Sequence, residues 1–511
     1  MSHLNTCNTD AEVAELVVPE PVAISLPKPA APESASLPAT SQMNKVRKLE
    51  AFLDQGKPYV RVEGAGNPSA LAVGSQLLNA LIRKQAREAG QKLKQSALED
   101  INEELEQDAA EAGRTYKTWN RVAPVEGGIE IDMGDELNTR VRISNGGVKI
   151  VSNGSEVLFR RYKHSMPMVM PAEAGRGDIK LLKKYLTNMD HVSFMLLTAW
   201  LTYTLAHPKV SASKYVILQV LGGQGSGKSM LTKLIKRLID PAATDAQIMP
   251  TNGVDLGIAA QQSHVLCYDN LRDISKSMSD LLCTAATGGV FTGRQLYSND
   301  EQHVIPLHVA LVLNGIHAFV SEPDLAQRCL PLQLKTIPAA NRRSEMEMEK
   351  ELDRDLPLIQ RGIFDLIAKA QIQLPKVELT SPERMIDFCK WLGAMELANE
   401  VPIGTYQDRY SDVLKQGQRD AILDSVLGAA VLEFAEGLDD DGWAGTPTML
   451  LSQLNFEVEQ NIQRLRAWPN SAAALSKRLA PLQAPLLAQG ISVEFSRPKE
   501  RIITIKKMEQ N

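Results

Sequence analysis

Tyr215-Val216-Ile217-Leu218-Gln219-Val220-Leu221 runs without a break into Gly222-Gly223-Gln224-Gly225-Ser226-Gly227-Lys228-Ser229, and Met230 to Leu238 continue with helical spacing. The first run is apolar and β-branched, as a buried strand requires. The second is the full G-x-x-x-x-G-K-[ST] pattern in the strand–loop–helix setting that phosphate binding needs. Its glycines let the backbone curl so that successive N–H groups and the positive end of the helix face phosphate oxygens. Lys228 would neutralise the β and γ phosphates, and the Ser229 hydroxyl would ligate magnesium. ATP and Mg2+ are the expected ligands. The bland alternative is a glycine-rich turn with a solvated lysine, which does not require all the anchor positions to agree.

A magnesium site of this kind needs an acid at the tip of a second strand, and His264-Val265-Leu266-Cys267-Tyr268-Asp269-Asn270 supplies one in Asp269. Many P-loop motors place Glu beside that acid to orient the attacking water. Here the neighbour is Asn270, which cannot accept a proton, so Asp273 and Glu301 stand only as weak candidates for a base. A third strand, Ala310 to Leu313, ends in Asn314-Gly315. The Asn314 amide would position the water or sense the γ-phosphate there, or else form only a turn. Arg328, closing Asp324-Leu325-Ala326-Gln327-Arg328, is a candidate arginine finger for a neighbouring subunit's nucleotide, with a surface salt bridge as the alternative.

Outward from this centre the chain divides by composition. Residues 1–42, rich in Pro, Ala, Ser and Val, cannot bury enough surface to offset chain entropy, and a disordered arm is expected. Residues 43–119 are expected to be a charged helical region, from Leu77, Leu78, Leu81 and Ile82 and then Leu98, Ile101 and Leu105. Residues 120–174 carry short alternating runs and Asn145-Gly146, a tight-hairpin signal, and predict a small antiparallel β unit. The basic run Arg160 to His164 at its end suits a solvated edge and a nucleic-acid contact equally. Alternating helices and strands over 175–337 predict a doubly wound α/β domain with a parallel sheet. A helical region follows over 338–438, then a Gly/Asp-rich break and a last unit over 439–511.

In that last unit, two helices opened by Thr446-Pro447 and Asn470-Ser471 precede two short strands, the pattern of a winged helix. From Asn461 to Asn511 nine Lys and Arg face three Asp and Glu, although the whole chain has net charge −5. Lys477, Arg478, Arg497, Lys499 and Arg501 are candidate phosphate contacts for nucleic acid, and a protein-binding winged helix is the alternative.

Together these motifs resemble the superfamily 3 helicase branch of the AAA+ ATPases, the ATPase part of phage, plasmid and poxvirus-type primase-helicases. The likeness rests on Gly222 to Ser229, Tyr268-Asp269-Asn270-Leu271, Thr287-Gly288-Gly289, Thr292 to Glu301, Val312-Leu313-Asn314-Gly315-Ile316 and Pro323 to Arg328. It extends from about Asn120 to the C-terminus and is greatest to bacterial and prophage ATP-binding proteins. The resemblance implies a homo-oligomeric ring, a hexamer, with nucleotide between subunits and a β-hairpin in the central channel. That hairpin falls between Gly289 and Pro306 and puts Arg294 near single-stranded nucleic acid or the nucleotide. Asn270 departs from the acid of many relatives. The region before Asn120 shows no primase chemistry, which implies a separate primase or replication partner.

The five cysteines lie far apart, with no zinc spacing, and suit a reducing cytoplasm. No basic-then-apolar leader opens the sequence, and Ser193 to Ala206 is too short an apolar run to span a bilayer. The leading expectation is an ATP-driven DNA motor of a phage or mobile element, a helicase or helicase-like replication ATPase. A non-translocating NTP-dependent switch in phage defence or replication control, and a structural DNA tether, are the alternatives.

Overall fold

A computed structural model describes residues 49–294, 302–316, 319–320, 322–497 and 501–508. The arm expected over 1–42 lies outside the described residues, as do Glu301 and Lys499.

The described residues open with strands, which corrects the helical reading of 43–119. Leu49–Asp54, Lys57–Val62 and Ser69–Ala72 make an antiparallel meander, and helices occupy only Gln76–Glu88 and Gln95–Glu111. The first turn is Gln55-Gly56, both residues at positive φ, which matches the right-handed twist of a two-residue hairpin. Ala51, Val60, Val62 and Leu71 point to one face and are covered by Leu78, Ile82, Leu98 and Leu105 of the helices. Leu158–Arg160 and Thr118–Trp119 extend this sheet in parallel.

Val122–Val125, Gly128–Asp132, Arg140–Ser144 and Gly147–Val151 pair in sequence order as the small antiparallel unit. Asn145 and Gly146 turn the last hairpin with φ of 50° and 76°. The basic run that follows is structural at its start. Arg160 pairs with Asp54 at 2.8 Å, and Arg161 clamps the buried Asp132 together with Arg140. Burial pushes the Asp132 carboxyl up, but Arg161, Arg140 and Arg121 outweigh it and hold the group at about 2.

The centre is a parallel α/β sheet with strand order Val265–Leu271, Ala310–Gly315, Ile217–Gly222, Cys329–Leu334. His191–Ala206 is buried on nearly every side, and its Trp200 indole N–H donates to the Val216 carbonyl at 2.7 Å. An all-round apolar helix belongs inside a large core, which is where it lies. Gly289–Arg294 and Gln302–Leu307 form a separate antiparallel hairpin. Its Phe291 and Ile305 rest on Gly253 and Gly257 of the helix Gly253–Gln262, where an added Cβ would meet them at 2.7 and 2.2 Å. Helices Glu345–Gln373, Ile386–Ala398, Thr405–Asp424 and Val426–Glu436 follow. The last unit places Pro447–Glu457 and Ala472–Leu479 beside a three-stranded sheet in the order Trp443–Gly445, Ile502–Lys507, Ile491–Ser496. Thr446 and Ser471 cap these helices through their hydroxyls, as their sequence positions require. Among the described residues no helix is long and apolar enough to cross a membrane.

Candidate functional site

Parallel strands deliver all their carboxyl ends to one edge of a sheet, and ligands of such sheets bind there. At this edge Ile217–Gly222 passes into the glycine loop, and the helix Lys228–Ile239 begins at once. Gly225 and Gly227 have φ of 74° and 75°, in the left-handed region that glycine enters at no steric cost. A Cβ on Gly222 would stand 2.5 Å from Ser226 Oγ and 2.9 Å from the Leu334 carbonyl oxygen. Gly227 caps the helix without any side-chain hydrogen bond, so the first N–H groups of the helix are left for another acceptor. Ser226 Oγ donates to the Gly223 carbonyl at 2.8 Å and braces the curl from inside.

Lys228 Nζ donates to the carbonyls of Gly222 and Gly223 at 2.7 and 3.0 Å, folding the ammonium across the mouth of the loop. Burial pulls its pKa below the usual lysine value, and the Asp269 carboxylate opposes that shift. Ser229 Oγ lies 3.4 Å from Asp269 Oδ2. The hydroxyl and the carboxylate predicted to share a magnesium ion are thus neighbours, at a separation between the roughly 3.0 Å of adjacent ligands and the roughly 4.2 Å of opposite ligands on an octahedral ion with bonds of roughly 2.1 Å. The donor set, oxygen only, suits that hard cation.

Asp269 owes its position to an irregularity. The ladder between Val265–Leu271 and Ala310–Gly315 slips between Tyr268 and Leu271, so Asp269 and Asn270 bulge from the strand. Asp269 N–H donates to the Gln247 carbonyl, which ties the bulge from the other side. Asn270 has φ of 59°, a conformation asparagine tolerates far better than most side chains. Its backbone N–H donates to Asn314 Oδ1 at 3.2 Å, and Asn314 Nδ2 donates to Thr232 Oγ1 at 3.1 Å. Asn314 is fully buried and bridges the Asp269 strand to the helix that follows the glycine loop.

Arg328 lies elsewhere. Cys329 pairs with Ile217 at the start of the phosphate strand, while Leu334 pairs with Gly222 at its end. Arg328 is therefore about six residues, roughly 20 Å, from its own glycine loop along the strand. Its guanidinium holds Asp324 at 2.7 Å, and Arg384 holds the other oxygen of the same carboxylate at 2.7 Å. Arg294 ends the first hairpin strand opposite Gln302. In the last unit Arg478 is engaged with the Ala467 and Arg466 carbonyls, Lys477 stands beside it on the same short helix, and Arg501 lies over the Phe495 ring at 5.1 Å. Arg497 closes Ile491–Ser496 and is exposed.

Two residues at the site escaped the sequence reading. Asn188 donates from one amide to the Ser226 carbonyl at 2.8 Å and to the Lys335 carbonyl at 2.6 Å, staking the loop between two segments. No local motif marks it. Thr232, one turn beyond Lys228, does have a signal, since positions four apart share a helix face.

Residues 180–415 match the family model described as actinomycete integrative conjugative element replication protein, and residues 427–511 match that of the AICE RepA C-terminal domain. The two matches support a replication protein of a conjugative element. No curated protein matches this replication protein. Among solved structures it is similar to the apo A form of the NrS-1 C-terminal region, with 12% identity, TM-score 0.38, and 92% of this chain and 98% of that one covered. A second apo structure of that region gives 12% identity and TM-score 0.39, covering 93% and 100%. Both likenesses are distant.

Proposed function

We propose that this replication protein is a magnesium-dependent ATPase of the P-loop class that moves on or remodels DNA during replication of its mobile element. One observation carries the reading: Lys228, Ser229 and Asp269 meet at the carboxyl edge of a parallel sheet, around a loop that only glycine can form. Bound MgATP would supply the cleavable γ-phosphate and a divalent charge. The chain's own residues do the rest. N–H groups of 225–229 and the helix end would hold phosphate oxygens, Lys228 would turn from the carbonyls of Gly222 and Gly223 towards them, and Ser229 and Asp269 would hold the metal. Asn314, fixed by Thr232 and by the Asn270 N–H, presents a neutral amide at the strand tip next to the Asp269 strand.

The helices and terminal β-hairpin of the last unit support a winged helix that grips DNA through Lys477, Arg497, Lys499 and Arg501. A superfamily 3-like hexameric ring would give Arg328 the neighbour's nucleotide that its own loop cannot be. The deciding experiment is ATP turnover by the purified protein with and without single-stranded DNA, alongside its mass in solution. Stimulated turnover by an oligomer is expected, and absence of any MgATP binding would refute the reading.

A second reading, a slow nucleotide-dependent switch, draws on Asn270. An amide in a left-handed conformation stands where a proton acceptor is wanted. Tight MgATP binding with negligible turnover in the presence of DNA would favour it.

A further inference from the structure

We propose that Arg342 is a second phosphate-binding cation, supplied in cis to the nucleotide of its own subunit. This rests on the reading of residues 222–229 as a nucleotide site and adds a residue that none of the motifs contains.

The geometry begins with the edge strand Cys329–Leu334, which ends level with Gly222. Instead of leaving the site, the chain folds across the glycine loop. Lys335 N–H donates to the Asn188 carbonyl at 3.2 Å, and Asn188 in turn holds Ser226. Ile337 N–H donates to the Gly225 carbonyl at 3.2 Å, a direct backbone tie to the apex of the loop. The Ile337 side chain lies 3.5 Å from where a Cβ on Gly227 would stand. A short turn at Ala339–Asn341 then delivers Arg342 back over the loop. Its Nη2 is 2.9 Å from the position of a Cβ on Gly225. Glycine at 225 thus meets two demands, a φ of 74° and room for a guanidinium.

The two neighbouring arginines differ in their partners. Arg343 is neutralised by Glu351 at 2.7 Å. Arg342 forms no ion pair among the described residues, and its hydrogen bond is a long one from Nε to the Ile337 carbonyl, 3.4 Å. That leaves both terminal nitrogens, the fork that recognises phosphate in a bidentate way, facing the loop and solvent. Lys228 alone does not balance the charge of a triphosphate. A guanidinium carried on the segment that Ile337 ties to Gly225 adds the missing charge at small entropic cost, because that segment is already ordered. Its placement at the strand ends, opposite to Arg328 at the strand starts, makes it a cis contact.

The test is titration of the full chain with MgATP, MgADP and AMP, for wild type, Arg342→Ala, Arg342→Lys and Lys228→Ala. Arg342→Ala should weaken MgATP about tenfold or more, as expected for a lost charged hydrogen bond, and leave AMP within about twofold. Arg342→Lys should recover part of the loss, and the thermal midpoint of the nucleotide-free protein should not move. Wild-type MgATP affinity in Arg342→Ala, with Lys228→Ala defective, overturns this inference and leaves the nucleotide site standing. A loss of equal size for AMP and MgATP, or a lowered midpoint, makes Arg342 a brace and also overturns it. Normal MgATP binding by Lys228→Ala would instead refute the nucleotide site itself.

Discussion

Ser229 Oγ and Asp269 Oδ2 stand 3.4 Å apart although 40 residues separate them in the chain. Their strands are not even adjacent: Ala310–Gly315 lies between Val265–Leu271 and Ile217–Gly222. The contact exists because the bulge at Asp269 and the helix start at Ser229 both lean over the intervening strand tip, where Asn314 ties the two together.

Replacing Asp269 with Asn keeps the shape of that contact and removes its charge. MgATP turnover should then require at least about tenfold more Mg2+ for half-maximal rate, the scale of one charged ligand contact. Chelating Mg2+ from the wild type should abolish turnover. A magnesium titration of phosphate release reads both, and an unchanged midpoint in Asp269→Asn would remove this residue from the metal site.

Lys228→Ala deletes the one cation built into the glycine loop. Turnover should fall by about a hundredfold or more, the loss seen when a preorganised electrostatic contact to a developing charge is removed. Folding should survive, because Lys228 donates only to two part-buried carbonyls of its own loop. Circular dichroism beside the rate assay separates the two effects.

In the proposed ring, Arg328 would act on another subunit, given its distance from its own loop. A finger of this kind contributes roughly 10³ to 10⁵ in rate. Mixing Arg328→Ala with Lys228→Ala subunits should restore part of the activity, because some interfaces then regain both groups. Mixed oligomers no more active than the two variants alone would leave Arg328 as the Asp324 partner and nothing more.

Acid should unfold the protein through His264. This imidazole is fully buried, donates from Nε2 to the Thr204 carbonyl at 2.9 Å, and sits among Asp240, Lys209 and Arg121. Burial, with Lys209 adding to it, pushes its pKa down to about 3, so the unfolded chain takes up a proton below about 6.5 that the folded chain refuses. Stability is therefore lost as pH falls from about 6.5 towards 3, by on the order of 1 kcal/mol per pH unit. Urea midpoints at pH 7.5 and pH 5 measure this in wild type and in His264→Gln, which should show a shallower loss. His308, pushed down to about 4 by burial, keeps some acid dependence in the variant. Equal slopes in both proteins would assign the effect to other groups.

DNA binding by the last unit should run through phosphates. Changing Arg497, Lys499 and Arg501 to Ser together should weaken binding to all sequences alike. Each lost contact should reduce the log–log salt slope by about 0.7 to 0.9. Arg478→Ala should instead lower thermal stability, since it removes the partner of the Ala467 and Arg466 carbonyls. Undiminished DNA affinity in the triple variant would give this surface to a protein partner.

The sequence by itself determined the local pieces of this protein. The glycine loop, the strands that feed it, the Asn145-Gly146 hairpin and the two hydroxyl-capped helices of the last unit are each decided by neighbours along the chain: positive φ, period-two burial, a cap three residues from its N–H. The strands over 49–72 escaped because their alternation is interrupted by charged residues, and only packing of Val60 and Leu71 under Leu78 and Leu105 selects the strand. The tertiary structure alone decided which distant residues meet. It committed Arg160, Arg161 and Arg478 to internal partners, put Arg328 at the wrong end of the sheet for its own loop, and brought Asn188, Asn314 and Arg342 to the right one. Strand order in a parallel sheet is set by long crossovers and the core they bury, and no short stretch of sequence contains that information.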